Sequence, residues 1–203
     1  MRAALTLSLA LVLLGGRAAA AEAGATEALK ARDAEIRAAL PPQGGAVTPE
    51  VRRKLEAIIT RAVDLRSMVE AAMGKHWAQT PEKQRRRLIG AFESRFRKAS
   101  GGELDTYRST QIEYQPEEQQ PNGTVQVPTK VVVKGEPTEI AYTVKKEGAG
   151  WRIVDITVDG VSTVENYRSS FSRIITKEGV SGLIQRLEKG GAGPAAKAGT
   201  AAR

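Results

Sequence analysis

The sequence predicts an α+β domain in which an antiparallel sheet of about four strands is wrapped by helices. Up to residue 98, and again from residue 164, apolar residues recur three or four positions apart, as on one face of a helix. Between residues 112 and 158 they alternate with polar residues, which is typical of strands. The turns between these strands are too short for parallel crossovers, so the strands form an antiparallel meander.

Cap residues divide the first half of the chain into helices. A helix over residues 22–40 ends at a pair of prolines, which cannot continue it. Thr48 is followed by a proline, a pattern typical of an N-cap and first helical position, and Asp64 is a second N-cap candidate. Gly74 ends the helix that Asp64 begins, and Thr80 with its following proline starts the longest helix.

The second half contains the strands and two closing helices. Strand patterns surround Ile112, residues 125–133, residues 140–144 and residues 151–158. Strict alternation on the last strand predicts one face with Trp151, Ile153 and Asp155 and the other with Val154, Ile156 and Val158. Helical spacing then runs from Val164 to Gly179, which ends that helix, and Ser181 begins a short final one.

The two ends of the chain differ in composition from the domain between them. Residues 1–21 combine a basic start, a short apolar segment and a run of alanines, which predicts a secretory signal peptide. Residues 22–189 form the predicted domain, and the Gly- and Ala-rich residues 190–203 are expected to be disordered. Export from the cytoplasm makes nucleic acid the least expected anionic partner, and none is predicted.

Charge and cysteine content narrow the classes of partner and site. The formal net charge is +8, which favours anionic partners such as lipid headgroups or acidic protein surfaces. The sequence has no cysteine, which excludes thiolate nucleophiles and thiolate metal sites. The basic run at residues 83–98 is either a solvated helix face or a docking surface for an acidic partner.

Candidate catalytic residues are few. The single histidine, His76, has no second histidine or carboxylate at ligand spacing and is expected to be structural. Asp155 and Asp159 could share one strand face as paired carboxylates, but turn and cap duty near Gly160 is the favoured interpretation. No catalytic residue, metal site or cofactor is therefore predicted, and the protein is not expected to be an enzyme.

One segment resembles a known family. Residues 150–162 read GWRIVDITVDGVS, residues 166–171 read NYRSSF, and Gly179 precedes LIQRL at residues 183–187. These motifs, with those around Trp77, are similar to the signature of the MlaC family, also called the toluene-tolerance auxiliary family. The similarity extends over residues 48–188 or so.

The resemblance implies a periplasmic phospholipid carrier of NTF2-like architecture, with acyl tails buried in an apolar cavity between sheet and helices. It also implies exchange of lipid between an outer-membrane lipoprotein complex and an inner-membrane ABC transporter with an MCE-domain subunit. A monomer suffices for that role. The alternative is a periplasmic binding module for another hydrophobic ligand.

Ten apolar and aromatic residues are candidates to line or gate the cavity, although each could equally fill a solid core. They are Phe92, Phe96, Tyr107, Val131, Val133, Tyr142, Val144, Ile156, Tyr167 and Phe171. In the signature block, Trp151, Asp155, Gly160 and Ser162 are expected to be architectural. Arg168 is expected to pair with a carboxylate such as Asp155, or else to meet a lipid phosphate.

Overall fold

The computed structural model describes residues 24–42, 45–100, 110–133 and 135–191, and only the backbone of residues 98–100 and 133. Its helices are α1 (Ala25–Ala39), α2 (Pro49–Ala62), α3 (Leu65–Met73), α4 (Lys75–Gln79), α5 (Glu82–Ser100) and α6 (Thr163–Glu188). Its strands are β1 (Ile112–Tyr114), β2 (Glu118–Gln119), β3 (Val125–Val133), β4 (Glu136–Glu147), β5 (Gly150–Val158) and β6 (Val161–Ser162). The predicted signal peptide and nearly all of the predicted tail lie outside the described residues.

The strands form one antiparallel sheet, so the predicted fold class is confirmed. The spatial order is β1-β3-β4-β5-β6, with β2 paired to the other end of β3. Three long strands make the centre of the sheet, and the additional strands β2 and β6 have two residues each. β6 pairs only with Thr157 and Val158 of β5, and an isolated parallel bridge joins Val63 to Ile153 on the same strand.

Local capping chemistry sets the helix boundaries. The Thr48 hydroxyl accepts a hydrogen bond from the Val51 N–H at 3.3 Å, and Pro49 occupies the first turn. The Asp64 carboxylate accepts from the Ser67 N–H at 3.0 Å. Both predicted N-caps are confirmed, because each depends on a few neighbouring residues only.

The long last helix has the predicted break. Gly179 has φ 68° and ψ 177° inside α6, a backbone conformation that is nearly restricted to glycine. A Cβ at this position would meet no neighbouring atom within 4 Å, so the backbone angle and not a lack of space requires glycine here. The kink lets Leu183, Ile184 and Leu187 return to the core.

The predicted strict alternation on the last strand was wrong. The β4–β5 register passes from Thr143 opposite Asp155 to Val144 opposite Ile153, which leaves Val154 as an extra residue in a β-bulge. A bulge changes the parity of the strand, so Ile153 and Ile156 lie on the same face, although they are three residues apart. Both apolar side chains thereby reach the core.

The helices cover one face of the sheet, and the hydrophobic core lies between. Val125, Val127 and Val144 of the sheet belong to the same buried cluster as residues of α3, α5 and α6. The link between α2 and α3 is held to the sheet by a hydrogen bond from the Asp64 N–H to the Ile153 carbonyl, at 2.8 Å. Within the described ranges, no helix combines the length and the apolar character needed to cross a membrane.

Candidate functional site

The register of the sheet places the candidate strand residues on its helix-covered face, called the inward face below. Val127, Tyr142 and Ile156 lie side by side across β3, β4 and β5. Val131 and Val144 have the same parity as these residues, since side chains two positions apart share a face. Tyr107 lies outside the described residues, and Val133 ends β3 with only its backbone described.

Part of this set is closed within the protein core. Val131 is 3% exposed and Val144 is 0% exposed. Phe92 of α5 meets Tyr167 and Phe171 of α6 edge to face, with ring centroids 5.0 and 6.4 Å apart. Tyr167 and Phe171 also contact each other, at 5.5 Å. These five residues already fill space that protein atoms enclose, so in this conformation they act as core.

The other part of the set is not fully enclosed. Phe96, Tyr142 and Ile156 remain partly exposed while they pack against the buried cluster. Tyr114 on β1 and Leu29 on α1 behave in the same way. These side chains, on the sheet and on the helices that cover it, keep exposed surface, which indicates that the packing between sheet and helices is incomplete there. We call Leu29, Phe96, Tyr114, Tyr142 and Ile156 the open patch.

The sequence reasoning missed two members of the open patch. Tyr114 alternates with Ile112 in the same period-two pattern that identified Tyr142, so that pattern could have included it. Leu29 lies within the helix predicted over residues 22–40, which the sequence analysis did not connect with the sheet. Only the tertiary contacts of α1 with β3 and β5 bring Leu29 to the inward face.

Polar groups surround the two tyrosines. Burial raises the pKa of the Tyr142 hydroxyl to about 12, and the nearby Asp33 carboxylate contributes in the same direction. Although Tyr142 as a whole keeps some exposed surface, its phenol end is closely surrounded. Burial, again with Asp33, also raises the pKa of Tyr114. The Lys30 ammonium lies 5.7 Å from the centre of the Tyr114 ring.

The signature block is architectural, as expected for Asp155 and Ser162. The Asp155 carboxylate accepts hydrogen bonds from the Ser162 hydroxyl at 2.5 Å and from the Val164 N–H at 3.0 Å. The Ser162 hydroxyl accepts from the Glu165 N–H at 3.1 Å and so caps α6. The two residues therefore fix the angle at which the chain leaves β5 and enters α6.

Asp159 also serves the turn and does not form a dyad with Asp155. It has φ 48°, and its side chain accepts from the Glu139 N–H at 3.0 Å. The favoured interpretation of both carboxylates, turn and cap duty, is confirmed by these hydrogen bonds.

The expected ion pair of Arg168 with a carboxylate is confirmed, but the partner is Glu165 and not Asp155, the example given. The Arg168 guanidinium pairs with Glu165 at 2.6 Å and donates to the Ala71 carbonyl at 3.1 Å. Asp155 faces the backbone of the β5–α6 connection instead. Glu165 and Arg168 are three residues apart on one helix, a spacing at which side chains readily meet.

The hydrogen bond described at His76 is made by its backbone. The His76 carbonyl accepts from the Thr80 hydroxyl at 2.7 Å, and the buried Nε2 atom of its ring has no partner among the described atoms. The residues described include no cluster of three or more histidine, aspartate or glutamate side chains suited to a metal ion.

Much of the basic run on α5 ties the helix to its neighbours. Arg85 donates to the Trp77 carbonyl at 3.1 Å and stacks on the Trp77 ring at 4.9 Å. Arg87 forms two hydrogen bonds with Glu188 on α6, at 2.7 and 2.8 Å. Arg95 donates to the Gly190 carbonyl. These contacts support the interpretation of the run as a structural, solvated helix face.

A groove of about 290 Å³ lies on the opposite side of the sheet. Most of its lining residues have outward parity on β3, β4 and β5: Gln126, Pro128, Lys130, Glu139, Ala141 and Thr157. It is thus separate from the open patch, and its charged side chains make it unsuited to acyl chains.

Comparison with known proteins identifies the family. The chain is similar to a solved structure from Ralstonia solanacearum, described as a phospholipid-binding protein in complex with a phospholipid. The TM-score is 0.72 at 28% sequence identity, and the match covers 83% of this chain and 97% of that one. The comparison with curated proteins finds no match. The family described as "MlaC protein" matches residues 38–189, and the chain therefore belongs to the MlaC family.

Proposed function

We propose that this protein is a phospholipid carrier that holds acyl chains between the inward face of the sheet and the helices. One observation carries the proposal: the chain matches 97% of a phospholipid-binding protein solved with its lipid. The open patch supplies a matching surface in this chain, since its side chains from sheet and helices pack against the core without being fully covered.

Without a carrier, a phospholipid that crosses water must expose its acyl chains, at a large cost in free energy. Two acyl chains contain about 30 methylenes, and each methylene contributes about 0.8 kcal/mol when it leaves water, roughly 25 kcal/mol in total. A protein that encloses the tails removes this barrier by binding alone. The proposed role therefore involves no chemical turnover, and no catalytic residue is assigned.

The route of the lipid is part of the proposal. Residues 1–21 act as a signal peptide that directs the chain to the periplasm. There the carrier exchanges lipid between an outer-membrane lipoprotein complex and an inner-membrane ABC transporter with an MCE-domain subunit. Membership of the MlaC family supports this route.

Native mass spectrometry tests the lipid assignment. The chain without residues 1–21 is purified from a bacterial periplasm, and bound molecules are released and identified. We expect adducts with the masses of diacyl phospholipids. A protein that carries a different hydrophobic molecule would favour the alternative ligand class. A protein without any adduct that also takes up no lipid from phospholipid vesicles would refute the carrier role.

A matched pair of variants tests the location of the site. Ile156→Trp fills space at the open patch, and Val132→Trp makes the same change on the outward face, where Val132 is 51% exposed. We expect the first variant to lose bound phospholipid and the second to keep it, with both folded by circular dichroism. If both variants carry the same amount of bound phospholipid, the assigned site is wrong. A His76→Ala variant is expected to keep full lipid transfer.

A further inference from the structure

Helix α1 contributes Leu29 to the open patch and lies beside the two tyrosines of that patch. Ala25, Leu29 and Asp33 follow one another at four-residue spacing and so form one stripe of the helix. Ala25 is 0% exposed and belongs to the main core, and Leu29 packs against it. Asp33 is close enough to Tyr114 and Tyr142 to influence the ionisation of both. The stripe therefore faces the inward side of the sheet, where α1 contacts β3 and β5.

The N-terminal half of α1 is held by contacts that exchange readily with water. The Thr26 N–H and hydroxyl both donate to the exposed Glu117 carboxylate, each at 3.0 Å. Lys30 rests on the Tyr114 ring at 5.7 Å. Leu29 is the only large apolar side chain between Gly24 and Glu35, so little buried apolar surface resists separation of this half from the sheet.

The C-terminal half of α1 is anchored differently. Ala39 forms a second buried cluster with Leu55 and Ile58 of α2, and Ile36 and Leu40 pack against it. This cluster is separate from the main core. An element fixed at one end by apolar packing, and at the other mainly by polar contacts, can pivot about its fixed end.

We propose that α1 is a hinged lid over the acyl-chain site. It pivots on the cluster of Ala39, Leu55 and Ile58, and its N-terminal half moves away from the sheet so that phospholipid tails pass between helix and sheet. The closed position is the one described here. This inference rests on the proposed carrier function and adds the path by which the lipid enters and leaves.

A reversible bridge tests the lid directly, because the sequence has no cysteine of its own. Thr26→Cys and Glu117→Cys are combined and joined by a short bis-methanethiosulfonate, which ties the mobile half of α1 to the sheet. The control joins Glu35→Cys to Arg61→Cys, whose parent side chains meet at 2.5 Å near the anchored half. Transfer of a fluorescent phospholipid is followed from vesicles of phosphatidylethanolamine and phosphatidylglycerol.

We expect the bridge from position 26 to position 117 to slow transfer by about tenfold or more, since the open state is a minor population that the bridge removes. Reductant should restore the rate, and the control bridge should leave it within about twofold. Unchanged transfer with the first bridge would overturn the lid. Equal inhibition by both bridges would overturn the hinge.

Two further results keep the lid and the carrier role distinguishable. If the unbridged protein takes up no phospholipid at all, the carrier function fails and the lid fails with it. If unbridged and bridged proteins transfer lipid equally fast, only the lid fails. Leu29→Ala removes the main apolar contact of the mobile half and should accelerate transfer, and a slower or unchanged rate in a folded Leu29→Ala protein would also contradict the proposal.

Discussion

Asp155→Ala should destabilise the domain strongly, and the variant should still bind lipid wherever it is folded. The Asp155 carboxylate accepts from the Ser162 hydroxyl at 2.5 Å, from the Val164 N–H at 3.0 Å and from the Ile156 N–H at 2.8 Å. Together these bonds fix the connection between β5 and α6. The helix that follows supplies Tyr167 and Phe171 to the core, so loss of the connection affects the packing of the whole domain.

The magnitude follows from the two bonds that span the connection. A hydrogen bond to a charged group contributes roughly 1.5–3 kcal/mol net, so the Ser162 and Val164 bonds together contribute about 3–6 kcal/mol. The site is only partly buried, and water replaces part of the interaction in the variant. We therefore expect the free energy of unfolding to fall by about 2–4 kcal/mol. For a chain of this size, that lowers Tm by about 5–15 °C.

Urea unfolding followed by circular dichroism measures this change. Asp159→Asn is the matched control, because asparagine tolerates the left-handed backbone conformation at φ 48° and keeps an acceptor oxygen for the Glu139 N–H. The control should change the free energy of unfolding by no more than about 0.5 kcal/mol. An Asp155→Ala protein as stable as its parent would refute the architectural role. Loss of lipid loading at a temperature where the variant is folded would refute the separation of this acid from the site.

Three other changes test the core, the tyrosines and an ion pair. Phe171 is 0% exposed within the aromatic cluster. Phe171→Ala should therefore lower the free energy of unfolding by about 3–5 kcal/mol, and Phe171→Leu should lower it by less than about 1.5 kcal/mol. Urea titration measures both changes. Absorbance titration of the parent against Tyr142→Phe should assign a phenol with a pKa of about 12 to Tyr142. The folded pKa is raised above the unfolded value of about 10, so the contribution of Tyr142 to the free energy of unfolding should be fully present below pH 10 and should decline between pH 10 and pH 12. A loss of this contribution that begins well below pH 10 would contradict the assignment. The Arg87 guanidinium lowers the pKa of Glu188, so this pair stabilises the end of α6 above the ordinary glutamate pKa of about 4.3 and loses that effect as pH falls through the lower folded value. In the parent, amide hydrogen exchange in the last turn of α6 should then become faster as the solution is made acidic. In Arg87→Gln the pair is already absent, so acid should cause no such further increase. The Tm of the whole domain should hardly change, because the pair is exposed.

Local signals carried most of the correct predictions. The caps at Thr48 and Asp64 and the break at Gly179 were predicted because each depends on the chemistry of a few adjacent residues. The Asp155 and Ser162 roles were predicted because a strand that turns at once into a helix leaves backbone N–H groups to satisfy. The Glu165–Arg168 pair has a local spacing too, and sequence reasoning overlooked it.

The candidate site was harder to predict, because its composition does not distinguish a lining residue from a core residue. Phe92 and Phe96 are four residues apart on one helix, yet Phe92 is 2% exposed and Phe96 remains partly exposed. The difference depends on which neighbours cover each ring. The eight candidates whose side chains the structure describes therefore divide into core and open-patch residues only when the sheet, α1 and α6 are placed together.

The sequence by itself determined the order and type of the long elements, the antiparallel meander and the family signature, but not α4, β2 and β6. These features depend on periodicity, short turns and fixed local spacings. The tertiary structure alone decided the Val154 bulge, the face shared by Ile153 and Ile156, and the position of α1 at the open patch. Each of these depends on pairing between residues far apart in the chain, where the free energy of packing, and not local preference, selects the arrangement.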